Sequence, residues 1–159
     1  MSMKKSSVKP NYETWPKQKV KSTDLFLDSK NIRLDLNVEL SQDALINDLF
    51  SNEDAMQVLK SIANNGFFPD EIPVVIKENG KIIVLEGNRR VAALKALLRP
   101  EIIPSKEHAI KGILKNAVPI PKLQRIFPAQ CLEIASAFST SSPSLKIRSL
   151  VVGSISSFL

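Results

Sequence analysis

Residues 72–98, IPVVIKENGKIIVLEGNRRVAALKALL, leave the chain few ways to fold. Two apolar runs flank Asn79-Gly80, and Asn-Gly in that setting is the strongest short-range signal for a β-hairpin, because both residues tolerate positive φ. The spacing predicts strands at about 73–77 and 81–86. Both runs are apolar on both faces, so helices are expected to cover the hairpin. Gly87 then turns the chain, Asn88 is placed to cap, and Val91, Leu94, Leu97 and Leu98 line a helix that ends at Pro100.

The start of that helix contains a conflict. A helix N-terminus carries partial positive charge and unpaired N–H groups, so a cation there costs roughly 0.3–1 kcal/mol. Two cations, Arg89 and Arg90, occupy the first turn. The residues allow two readings. Either an anion binds there, held by backbone N–H groups and two guanidinium forks, or the arginines point to water or pair with Glu86 or Asp35.

Upstream, TDLFLDSKNIRLDL (23–36) alternates apolar and polar residues, which predicts a short strand and an extended turn. LSQDALINDLF (40–50) has helical spacing. A helix through Met56, Leu59, Ile62 and Ala63 follows, with Ser51 and Asp54 in a capping-box-like start and Asn65-Gly66 as its stop. SKEHAIKGILKNA (105–117) reads as a further helix and VPIPK (118–122) as extended. Residues 129–159 hold nine serines and Glu133 as their only acid. CLEIASAF is compatible with a helix and LKIRSLVV with a strand, yet no turn chemistry or period ties them to what precedes.

The net charge of +6 is concentrated at one end. Residues 1–22 hold six lysines against Glu13, a net +5, which leaves +1 for the rest of the chain. Such an arm adds nonspecific attraction to phosphate polymers, or is simply solvated. A single cysteine, Cys131, excludes an internal disulfide framework and a cysteine-based zinc site. No run approaches the ~18 apolar residues a membrane span needs, and the lysine-bearing N-terminus lacks a secretory apolar stretch. A cytoplasmic protein without a membrane partner is expected.

Residues 56–98, with their helix, Asn-Gly hairpin and Gly87-Asn88-Arg89-Arg90 box in that order, resemble the N-terminal domain of the ParB/sulfiredoxin-like family. In that family a glycine-ended helix leads to a proline-plus-apolar strand and a hairpin, and a Gly-x-Arg/His-Arg box opens an Ala/Leu-rich helix. LDSKNIRLD (27–35) is similar to the family's first phosphate motif, with Asn31 and Arg33 on either side of Ile32. The resemblance covers about residues 24–100. It implies an α/β (α+β) domain, a small mixed sheet with a β-hairpin flanked by helices, binding a nucleotide or phosphate group. The implied ligand is a nucleoside triphosphate, CTP or ATP, with Mg. Arg33, Gly87, Arg89 and Arg90 would hold phosphate, with Asn31 beside Arg33 and Asn88 at the edge. No metal-ligand set is identified.

The resemblance further implies a DNA-associated protein of prokaryotic type, serving partition, regulation or a mobile element. DNA would be reached through the basic arm or a partner protein, and a homodimer is in keeping. The alternatives are a nuclease, a nucleoside triphosphatase or a small-molecule phosphotransferase on the same fold, or a non-catalytic adaptor. Departures narrow the chemistry. Sulfiredoxins have a nucleophilic cysteine where Asn88 stands, so sulfiredoxin activity is not expected. ParB proteins usually have glutamate there, and Glu86, one residue before the glycine, is the catalytic candidate in its place. Metal-dependent cleavage would need a converging acidic cluster, for which Asp28, Asp35 and Glu86 are the candidates near the motifs. Their later acidic-Asn-x-x-Arg segment has a counterpart only in KLQR (122–125), where Lys122 and Leu123 replace acid and amide.

His108 is the only histidine, which excludes histidine-pair metal sites. Tyr12 and Trp15 among the arm's lysines could stack on a base or anchor the arm. The expected organisation is a flexible basic arm over 1–22, a ParB/sulfiredoxin-like domain over 23–125, and a serine-rich segment over 126–159 outside the domain's core.

Overall fold

The computed structural model describes residues 17–30, 41–52, 54–67, 72–117 and 126–132, the last of these as backbone. The fold is α+β. Among the described residues, five strands form one mixed sheet in the order β1-β5-β3-β4-β2. They are β1 (Lys17–Lys21), β2 (Leu25–Leu27), β3 (Val74–Glu78), β4 (Lys81–Glu86) and β5 (Ile126–Leu132). Helices α1 (Gln42–Asn52) and α2 (Ala55–Asn65) lie between β2 and β3 in sequence, and α3 (Asn88–Leu98) and α4 (Glu107–Lys115) between β4 and β5.

The hairpin forms as its turn chemistry requires. Asn79 and Gly80 have φ of 50° and 75°, the paired positive values that match a tight turn to strand twist. Ile76 pairs with Ile83, and a register shift falls between Val74 and Val75. β2 runs parallel to β4, and β5 runs parallel to β3 but antiparallel to β1.

α3 is the centre of the helical layer. Val91, Ala92, Ala93, Leu94, Ala96 and Leu97 are all buried. Its alanines let neighbouring backbone approach on several sides, and α2 supplies Leu59, Ile62 and Ala63 to the same core. Full burial of a side chain such as Leu94 stabilises by about 1.5–3 kcal/mol. Leu25, Leu27, Val75 and Val84 bring the sheet into that core, and Ile103 and Ile110 close it from the α3–α4 side. β2 is an edge strand, and Gln42 occupies that edge. The Leu27 N–H donates to Gln42 Oε1 at 2.7 Å, and Gln42 Nε2 donates to the Leu27 carbonyl at 3.0 Å. A side-chain amide thus stands in for a neighbouring strand.

Three expectations are corrected. Ser51 does not open α2. Its hydroxyl donates to the Asn47 carbonyl at 2.9 Å within the last turn of α1, and Asp54, at φ 57°, precedes α2 without a side-chain cap. Residues 17–21, assigned to the flexible arm, form β1 with Val20 buried. Residues 126–132, assigned to a segment apart from the domain, form β5 between β1 and β3. The cause is common to both strands: each obtains its hydrogen-bond partners from segments far off in sequence, β1 from β5 and β5 from β1 and β3, so neither carries a local signal. Cys131 and Leu132, read as compatible with a helix, belong to β5, and VPIPK and KLQR fall outside the described residues.

Candidate functional site

Of the parallel strands, β2 ends at Leu27, paired with Val84, and β4 runs two residues further to Glu86, after which Gly87 leads into α3. In open α/β sheets the carboxyl ends of parallel strands are where ligands bind. Gly87 makes the junction. Its φ is 92°, and a Cβ on it would lie 3.4 Å from both Cα and Cβ of Pro73, so a side chain would meet strain and crowding together. Its carbonyl accepts the Val91 N–H at 2.9 Å, the first bond of the helix. The N–H groups of the first turn therefore point out of the helix start, where backbone geometry offers them no acceptor within the helix.

Asn88 behaves otherwise than expected. It neither caps the helix nor turns outward: it is buried, and its amide joins two strands. Asn88 Oδ1 accepts the Asp28 N–H at 3.1 Å, and Nδ2 donates to the Val84 carbonyl at 3.0 Å. Asp28, also buried, accepts the Lys30 N–H on its carboxylate at 3.0 Å. This chain of bonds ties the exit of β2 to the first residue of α3. Exposed Lys30 was not singled out as a site residue from the sequence. The aspartate–lysine spacing is an ordinary turn signal, and only the pairing of β2 with β4 brings it to the helix start.

The two arginines part company. Arg90 is half-buried, and its Nη2 lies 3.6 Å from Glu86 Oε1, across the glycine. A pair of this kind stabilises by about 0.3–0.5 kcal/mol, comparable with the cost of placing a cation at this helix end. Arg90 thus makes the contact with Glu86 that the second reading expects, and Glu86, the catalytic candidate, is its partner there. Arg89 is exposed on the same turn. Gly87, Asn88, Arg89 and Arg90 are thus brought together with the exit of β2, whereas Asn31, Arg33 and Asp35 lie outside the described residues. His108 is exposed on α4, away from these elements in sequence. Among the described residues no cluster of three or more His, Cys, Asp or Glu side chains could hold a metal.

The far end of α3 carries a cation suited to the helix dipole. Lys95, half-buried in the last turn, has its pKa lowered, first by burial and then by the charge of Arg99, with Asp43 and Asp24 pulling the other way.

No family model matches the sequence, and no curated protein matches it. Among solved structures, the chain is similar to the C-terminally truncated chromosome-partitioning protein ParB from Caulobacter crescentus, complexed with CTP-gamma-S. The TM-score is 0.47 and the identity 12%, over 86% of this chain and 52% of that one. The chain thus spans about half the length of that protein. No described helix is long and apolar enough to cross a membrane.

Proposed function

We propose that the chain is a phosphate- and nucleotide-binding module whose site lies where β2 and β4 end and α3 begins. The observation that carries this reading is the placement of Arg89 and Arg90 on the first turn of a helix opened by Gly87 at positive φ. Outward backbone N–H groups and guanidinium forks are donors matched to phosphate oxygens. A nucleoside triphosphate, CTP or ATP with Mg, fits this donor set as the anion. When bound, it would supply the negative charge that the helix start lacks. Gly87 allows close backbone approach, Arg89 and Arg90 hold the anion, and Asn88 positions the turn. Arg33 and Asn31 join the site by the resemblance of their motif. DNA association, through the basic residues of the N-terminal region or through a partner, and assembly as a homodimer complete the proposal.

A second reading, a fold-stabilising arginine pair without a ligand, is favoured by the Arg90–Glu86 contact. Calorimetric titration with the four ribonucleoside triphosphates, with and without magnesium, separates the two. Binding by the wild type that Arg89→Ala/Arg90→Ala abolishes supports the site. Equal heats for the two proteins would leave only the packing role.

A further inference from the structure

The peptide group joining Leu27 to Asp28 is planar, so its C=O and N–H turn together. Its two ends are held by different helices. The Leu27 carbonyl accepts Gln42 Nε2 at 3.0 Å, from the first residue of α1. The Asp28 N–H donates to Asn88 Oδ1 at 3.1 Å, on the first residue of α3. Asn88 Nδ2 donates in turn to the Val84 carbonyl at 3.0 Å. Three amide groups thus donate head to tail, from α1 through the end of β2 to the start of α3 and on into β4. Gln42 also accepts the Leu27 N–H on Oε1 at 2.7 Å, which fixes the plane of its own amide. The middle of this relay is dry, with Leu27, Asp28 and Asn88 only 3%, 3% and 6% exposed. Amides in series polarise one another, and a low local dielectric strengthens each bond.

We propose that Gln42 is a positioning residue of the candidate anion site, acting through the Leu27–Asp28 peptide and Asn88 on the first turn of α3. The inference rests on the phosphate-binding reading of that turn. Asn88 stands between Gly87 and Arg89, so its side-chain bonds orient the backbone from which the outward N–H groups and both arginines project. Without Gln42 the Leu27 carbonyl loses its donor and the peptide can tilt. Any tilt draws the Asp28 N–H off Asn88 Oδ1. Gln42 is itself well anchored. Ser41 Oγ accepts the Ala44 N–H at 3.2 Å and the Ser41 carbonyl accepts the Leu45 N–H at 2.9 Å, which closes the first turn of α1 around it. As a guard of the β2 edge Gln42 needs only Leu27. As the first donor of the relay it also holds the site.

Calorimetric titration of the full chain with pyrophosphate, beside its amide proton spectrum, tests the assignment. Gln42→Met keeps the length of the side chain and removes the first donor. Its pyrophosphate affinity is expected to fall about two- to tenfold, the worth of one amide hydrogen bond. The Asp28 amide proton is expected to move upfield as its bond to Asn88 weakens. Asn47→Ala is the control, because Asn47 Nδ2 lies on the same helix but donates to the Ile102 carbonyl at 3.2 Å, off the relay. Its affinity should equal that of the wild type. Linkage supplies a measurement without a variant, should Gln42→Met fold poorly: saturating pyrophosphate is expected to shift the Gln42 side-chain amide protons of the wild type. Unchanged affinity in Gln42→Met would reduce Gln42 to a guard of the β2 edge. An equal loss from Asn47→Ala would make the effect general to the docking of α1, and Gln42 protons that ignore saturating pyrophosphate would likewise overturn the role. A wild type that binds no pyrophosphate overturns the phosphate-binding reading itself, and the positioning role with it, an outcome distinct from wild-type binding that Gln42→Met leaves intact.

Discussion

The β3–β4–α3 block and the outer strands β1 and β5 belong to one sheet but are specified differently. The block is local. A two-residue turn, a glycine and one helix follow each other within residues 74–98, and each carries its own conformational signal. The outer pair is non-local: Lys17 meets Gln130 and Lys21 meets Ile126, with most of the chain between them. Closing so long a loop costs entropy that only the completed sheet offsets. The comparison teaches that the candidate site stands on the self-specified half of the molecule, with the outer half depending on it.

The largest effect that would break this comparison lies under α3. Leu94→Ala is expected to destabilise by about 2–5 kcal/mol, because a fully buried side chain leaves a cavity. Val20→Ala on β1 removes two methyls from a residue that is 6% exposed, for about 1.6 kcal/mol. Denaturant melts of both variants check the order, and a larger loss from Val20→Ala would place the centre of stability in the outer half.

Asn88 sharpens the comparison, because it connects the block to β2. Asn88→Ala leaves the buried Asp28 N–H and Val84 carbonyl without their partners, which is expected to cost about 1–3 kcal/mol. Amide exchange at Asp28 should quicken more than exchange in α2. Uniform quickening would mean that Asn88 serves only general packing.

The glycines rank next. Gly87→Ala and Gly80→Ala both force a left-handed residue, at about 1–2 kcal/mol each. Only Gly87 also has Pro73 at 3.4 Å from the added Cβ, while Gly80 has open space. Thermal melts are therefore expected to show the greater loss for Gly87→Ala, and the reverse order would remove Pro73 from the account.

How much of this was legible follows from range. Asn79-Gly80, the stop at Gly66 and the apolar stripe from Val91 to Leu97 could be read because each constrains its own neighbours. Ser51 misled because its spacing to Asp54 fits a cap, but its hydroxyl finds the Asn47 carbonyl one turn back. Asn88 misled for the opposite reason. A first-turn asparagine turns inward only if something buried awaits it, and Asp28 lies 60 residues away. The lysine alternation in β1 reads as a solvated arm until β5 is beside it. Arg89 and Arg90 were found as a pair by their conflict with the helix dipole, but the contact of Arg90 with Glu86 could be read only from geometry.

The smallest effect concerns charge at the other end of α3. The folded pKa of Lys95 is below its unfolded value, so between the two the unfolded chain binds the extra proton and stability rises with pH. The penalty on the charged form is present below the folded pKa and is relieved as pH rises towards the ordinary lysine value of 10.5. Lys95→Met is expected to flatten this part of the stability–pH curve, measured by urea melts above neutrality. An unchanged slope would show that Lys95 does not cause it.

The central claim, that the turn opened by Gly87 binds phosphate, is tested most directly by pyrophosphate affinity in three proteins: wild type, Glu86→Gln and Arg90→Ala. If the site is real, Glu86 competes with the anion for Arg90. Glu86→Gln should then bind several-fold tighter than wild type, and Arg90→Ala about tenfold or more weaker, the loss of one charge-assisted contact. Affinities that are equal across the three proteins, or weakened by Glu86→Gln, would contradict the claim and leave the arginine–glutamate pair as a device of the fold alone.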